Sequence, residues 1–160
     1  FEGGIMWDQL EAAGVPGIKG VYVHNAFCAV VSIEQRYAGH AKQAGMAALG
    51  SSVAARNGRY IIVVDEDIDP SNMKEVWWAM TSRVDPATDI QTVDNCWASP
   101  LDPRMPPDIS ADGPHVNSRA IFYAVRPWEW RDKFPMVNRI DPEQRDAMIE
   151  KYKSILPFPS

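Results

Sequence analysis

Unbroken apolar runs alternate along this chain with segments whose apolar positions recur every three or four residues, and that order predicts an α/β protein. Met6 to Ala13 reads as a short amphipathic helix, with Met6, Trp7 and Leu10 on one side and Gly14 as its stop. After the turn Val15-Pro16-Gly17, Ile18–His24 and Ala26–Ile33 read as strands joined tightly at His24-Asn25. The dense run Phe27 to Val31 places the second of these centrally in its sheet. A helix is predicted over Ala38–Arg56, with Ala41, Ala44, Gly45, Ala48, Ser52 and Ala55 as a small-residue inward face. The buried strand Tyr60–Val64, a helix over Asn72–Arg83 and strands at Ile90–Val93 and Ala120–Val125 follow. A last helix starts at Pro142, a favoured first helical residue, and runs to about Ile155. The fold class is therefore α/β: a mostly parallel, three-layer-like sheet with a β-α-β-α-β core, right-handed crossovers and helices packed on it.

Prolines break this rhythm. Pro100, Pro103, Pro106, Pro107 and Pro114 crowd residues 95–118, which no helix or interior strand survives. A loop that long in a compact domain reads as a lid, a binding loop or a docking arm. Pro127 to Pro135 is aromatic-rich and irregular, and residues 136–160 form a helical tail. The 160 residues amount to one domain, and the start at Phe1 without Met predicts a fragment of a longer polypeptide.

Composition narrows the function. A net charge of -5, with scattered Lys and Arg, argues against a nucleic-acid partner. No apolar run is long enough to span a membrane, and no signal or lipidation motif is visible. Cys28 and Cys96 have neither CxxC nor metal spacing and read as buried thiols in a reducing, cytoplasmic setting.

The acids at the end of the third strand, Asp65, Glu66, Asp67 and Asp69, allow three readings. A Ca²⁺ loop fails, because Pro70 replaces the turn Gly and position twelve is not Glu. A Mg²⁺-dependent phosphatase-like domain would use Asp65 and Asp67 as nucleophile and partner, but it needs a later Lys and paired acids that the chain does not supply. The favoured reading is structural: Asp67 and Asp69 cap the helix at Asn72, and the other acids are solvated or pair with Lys74 and Arg83. His24, His40 and His115 lie on three separate elements without metal spacing, and Ser51, Ser52 and Ser99 lack a nucleophile elbow. Gly45 to Gly50 is too loose for a phosphate loop, and Trp97, Trp128 and Trp130 in irregular segments suggest a covered surface.

Several longer segments carry a resemblance. Gly14-Val15-Pro16-Gly17-Ile18-Lys19-Gly20-Val21, Gln35-Arg36-Tyr37-Ala38-Gly39-His40-Ala41-Lys42-Gln43-Ala44 and Val64-Asp65-Glu66-Asp67-Ile68-Asp69-Pro70 resemble the carboxy-terminal domain of UbiD-like decarboxylases. So does Glu75-Val76-Trp77-Trp78-Ala79-Met80-Thr81-Ser82-Arg83-Val84-Asp85-Pro86, and the likeness extends from about Gly14 to Phe134.

The resemblance implies a reversible decarboxylase of aromatic or α,β-unsaturated acids that uses prenylated FMN with a divalent metal and potassium. It places the flavin, the ions, the catalytic Arg and the paired Glu in an upstream flavin-binding domain. No catalytic, cofactor-binding or metal-ligating residue is therefore assigned within this chain. It implies that this domain supplies subunit contacts in a homo-oligomer (a dimer or larger) and one wall of the substrate pocket. By alignment that wall is Ser99, Pro100 and Leu101, with Val23 and His24 from the looser match over Val23–Phe27. Leu101 takes the place of an apolar substrate contact. Ser99 stands where some members have an aromatic residue, which implies a roomier pocket and counts against cinnamic-type acids, while similarity to bacterial members points to hydroxybenzoates.

Overall fold

The computed structural model describes residues 1–106, 113, 115–135 and 142–152. Its five strands are β1 (Ile18–Asn25), β2 (Cys28–Ile33), β3 (Tyr60–Asp65), β4 (Ile90–Trp97) and β5 (Val116–Ala124). They form one sheet in the order β1-β2-β3-β5-β4. The inner three run parallel, while β1 and β4 close the edges antiparallel to their neighbours. Helices α1 (Glu2–Ala12), α2 (His40–Gly50) and α3 (Ala54–Asn57) cover one face, packing on Ile61, Val63, Ile121 and Tyr123. Helix α4 (Met73–Arg83) covers the other, over Val30, Ile62, Val64 and Ile68. With both faces covered, the parallel strands can be apolar throughout, as β3 is from Ile61 to Val64. Trp128–Lys133 is a 3-10 segment, and α5 (Pro142–Tyr152) begins at the proline that predicted it, with Ile155 outside the described residues.

Two glycines explain local geometry. Gly14, at φ +79°, ends α1 in a left-handed residue, and the Val15 amide returns to the Leu10 carbonyl at 3.0 Å. A Cβ on Gly45 would lie 2.7 Å from Ile121 Cγ2 and 2.9 Å from Tyr123 Cε1, so its absence lets α2 lie against the sheet.

The structure departs from the sequence expectations at several elements. The helix expected over Ala38–Arg56 is two helices: Ser51 Oγ donates back to Ala48 O at 2.7 Å and accepts from Ala54 N at 3.2 Å, which breaks the run. Ser52, expected on the inward face, is exposed and exchanges hydrogen bonds with Gln9 of α1. The first hairpin turns at Ala26-Phe27, not His24-Asn25, because Asn25 Oδ1 accepts the Phe27 amide at 2.8 Å.

The largest departure concerns the last two strands. β4 runs on to Trp97 and β5 begins at Val116, so both ends of the expected 95–118 loop are strand. Asn95, at φ +56°, sits in a bulge between Val93 and Cys96, after which pairing resumes with Cys96 opposite Asn117 and Trp97 opposite Val116. A polar Asp94-Asn95 step therefore reads as a loop yet only kinks the strand. The third strand of the expected β-α-β-α-β run is not the next parallel strand either. β5 takes the slot beside β3, and β4 goes to the edge. The physical reason is burial: Ile121, Tyr123 and Ala124 are buried, whereas Thr92, Asp94 and Asn95 on β4 are exposed and suit an edge.

Candidate functional site

The acids at the tip of β3 fold into a closed ion-pair knot. Asp65 and Arg83 have fully buried side chains and meet at 2.7 Å. Asp65 also accepts from Gln35 Nε2 at 2.8 Å and from the Arg126 amide at 2.6 Å. Arg83 spans Asp67 with two bonds, at 3.0 and 2.7 Å, and lies between the Trp78 and Phe134 rings. Burial pushes the Asp65 carboxyl above its ordinary range, against the pull of the Arg126 amide, Gln35 and the two guanidiniums. Burial also raises Asp67, but Arg83 overcomes it and holds that carboxyl low.

A nucleophile must reach its substrate, and an Asp65 carboxylate enclosed by three partners cannot. Nothing in this geometry favours the phosphatase-like reading of Asp65 and Asp67. The pairing expected with Arg83 is present. The expected cap is corrected: Asn72 Oδ1 itself accepts from Lys74 N at 3.2 Å, while Asp69 Oδ1 accepts from the Ser71 amide and hydroxyl. Asn72 is the better cap because it stands immediately before the first helical residue, Met73.

The histidines stay apart. His40 is buried, its Nδ1 accepting from Arg36 N at 3.2 Å, and burial lowers its pKa. His24 Nε2 donates to Pro70 O at 2.8 Å, which ties the acid-rich loop to β1. Among the described residues, no three His, Cys, Asp or Glu side chains come together as metal ligands.

The residues expected to line a pocket lie toward the opposite end of the sheet. Tyr60 and Asp65 bound β3, so the two ends lie roughly 17 Å apart at about 3.3 Å per residue. After β4, Ser99 to Asp102 make a tight turn closed by Asp102 N donating to Ser99 O at 3.0 Å. Ser99 is buried, and its Oγ accepts from Leu101 N at 3.2 Å. Asp102 is buried beneath the turn, where it pairs with Arg59 and accepts from Asn117 Nδ2 at 2.7 Å and Arg104 N at 2.9 Å. Pro100 is exposed, and Leu101 projects outward with 87% of its surface exposed.

Arg119 pins the start of the turn. Only 2% exposed, it donates to the carbonyls of Ala54, Ala55 and Trp97. The other expected segment reaches the same end of the sheet. Val23 leans into the larger core and His24 points to the opposite face, but the Phe27 carbonyl accepts from the amides of Arg59 and Tyr60. The Arg59 guanidinium lies over the Phe27 ring, 5.2 Å from its centroid, and so joins the hairpin to the turn.

Sequence reasoning missed Arg59, Asn117 and Arg119. Arg119 leaves a usable signal: a charge directly before the apolar run Ala120–Ala124 must find partners if that strand is buried. Arg59 and Asn117 leave none.

Comparison with known proteins gives consistent matches. The sequence profile of the 3-octaprenyl-4-hydroxybenzoate carboxy-lyase C-terminal domain matches residues 4–124. A phenolic acid decarboxylase from Sedimentibacter hydroxybenzoicus is 33% identical over 143 residues, covering 89% of this chain and 28% of that protein. A 3,4-dihydroxybenzoic acid decarboxylase from Klebsiella pneumoniae superposes with a TM-score of 0.74 at 27% identity, over 94% of this chain and 32% of that one. The UbiD-class enzyme HmfF from Pelotomaculum thermopropionicum, solved in complex with FMN, gives a TM-score of 0.74 at 23% identity over the same shares, a likeness of fold alone. The chain thus spans under a third of the length of each of these relatives.

Proposed function

The chain belongs to the UbiD carboxy-terminal domain family, and from that premise we propose that it is the pocket-wall and subunit-joining part of a decarboxylase acting on aromatic carboxylic acids. The observation that carries the proposal is the turn at Ser99–Asp102, which hides its polar groups and offers one leucine outward. A Leu side chain left 87% exposed on an anchored turn suits a surface completed by something else. Here the completing surfaces are an aromatic acid and the upstream flavin-binding domain of the same protein.

In this reading the upstream domain would hold prenylated FMN with a divalent ion and potassium, and the flavin would supply the electron sink for loss of carbon dioxide. The residues of this chain bind and orient. Leu101 packs on the apolar face of the ring, Pro100 stiffens the turn, and buried Ser99 leaves room beside them. Val23 and His24 act behind this wall, holding the hairpin and the Pro70 loop against the sheet. Relatives that act on phenolic and dihydroxybenzoic acids support a hydroxybenzoate-type substrate. Exposed Trp97 and Trp77 suit subunit contacts in a homo-oligomer. The free thiols Cys28 and Cys96 suit a cytoplasmic setting, and no helix among the described residues is long and apolar enough to cross a membrane.

The test is Leu101→Ala in the full-length enzyme, assayed against a series of aromatic acids. Relative kcat/KM between small and bulky acids should shift by about 1–3 kcal/mol, the worth of pocket methylenes. Identical preferences in wild type and variant would remove the pocket-wall role.

A further inference from the structure

The turn that presents Leu101 rests on a charge pair distant in sequence, and the arrangement is more elaborate than a surface loop requires. Asp102 lies beneath the turn with its side chain 1% exposed. One carboxylate oxygen takes Arg59 and the Arg104 amide, and the other takes Asn117 Nδ2. Burial alone raises the Asp102 carboxyl, yet Arg59, the Arg104 amide and Asn117 together hold it below the ordinary range. Arg59 is 22% exposed and is itself seated on the Phe27 ring. Ser99 N donates to Arg56 O at 3.1 Å and Ala98 N to His115 O at 2.9 Å, so the start of the turn is anchored as well. The polar groups of the turn are satisfied inward, and its apolar tip faces outward.

A surface loop needs none of this to fold. Loops ordinarily sit at the mobile end of a molecule, and an exposed leucine on such a loop would lose its ordering entropy again on each binding event. We infer that the Arg59–Asp102 pair is a positioning device for Leu101, presetting the turn so that discrimination among aromatic acids depends on Arg59 although Arg59 acts from beneath the wall. The inference rests on the pocket-wall reading above. It adds two positioning residues and a prediction that reading does not make: selectivity should be lost at a position 42 residues away in sequence from the leucine.

The experiment uses the full-length protein with Arg59→Met, Arg59→Lys, Leu101→Ala and the double variant Arg59→Met/Leu101→Ala. Because Arg59 is partly exposed, Arg59→Met is the milder way to open the pair, and Asp102→Asn serves as a second variant. Amide exchange over residues 98–106 should speed up about tenfold in Arg59→Met and stay unchanged in β2 and β3. The preference between a small and a bulky aromatic acid should fall about tenfold in Arg59→Met, through KM more than kcat. Arg59→Lys, which can still pair with Asp102, should recover most of both effects. The double variant should be no worse than Leu101→Ala alone, since the device acts only through that leucine.

Unchanged exchange in Arg59→Met, or selectivity losses that simply add in the double variant, would overturn the inference while leaving the pocket wall standing. If Leu101→Ala itself leaves preferences untouched, the pocket-wall reading fails and takes this inference with it.

Discussion

Single side chains in this protein do their largest work where a charge is buried with partners. Arg83 is the clearest case, since its side chain has no exposed surface and holds both Asp65 and Asp67. Removing one member of a buried pair strands the other, which typically costs about 3–5 kcal/mol. Arg83→Met should destabilise the chain by about that amount in urea unfolding, and a loss under about 1 kcal/mol would show that Asp65 is not held as described. Asp102 gives a pH signature instead. Its folded carboxyl is depressed by Arg59, the Arg104 amide and Asn117 despite burial, so its stabilisation is fully present above the unfolded value and lost as pH falls through the folded one. Asp102→Asn should therefore be less stable than wild type by a constant margin near neutrality, and the margin should shrink below about pH 4. Urea titrations across that range measure it, and a margin that persists into acid would contradict the pairing.

Elements obey the same physics at longer range. The small-residue face of α2 was legible from spacing alone, and its meaning appears in the contact it permits: Gly45 has no room for a methyl group between Ile121 and Tyr123. Gly45→Val should force α2 off the sheet and cost about 1–3 kcal/mol, read as a lowered Tm without change in strand content. A neutral substitution there would mean that helix and sheet can separate freely. Helix and strand types were readable at nearly every element, because apolar period is set locally. Boundaries were not, and each miss has a local cause. Ser51 turned its hydroxyl back on the helix, Asn25 bent the hairpin two residues late, and Asn95 accepted a left-handed conformation that let β4 continue.

The whole molecule brings together what no window of sequence contains. The hairpin at Phe27, the start of β3 at Arg59, the turn at Ser99–Asp102 and the start of β5 at Asn117 are far apart in the chain and adjacent at one end of the sheet. The acid knot occupies the other end, so chemistry that looked most prominent in the sequence is separated from the proposed pocket wall. At this scale the full-length protein should be a homo-oligomer by light scattering, since Trp97 at 60% and Trp77 at 63% exposed would otherwise face water. A monodisperse monomer would remove the subunit-joining half of the proposed function.

The sequence by itself determined the α/β class, the burial of the second and third strands and the family, because burial pattern and motif spacing are written locally. It also pointed to Leu101 and Ser99, through alignment rather than through any physical signal of their own. Only the tertiary structure decided that β5, not β4, lies beside β3, and that Arg59, Asn117 and Arg119 converge under one turn. Strand order and long-range pairing depend on which apolar surfaces compete best for the interior, a comparison across the entire chain that no single segment encodes.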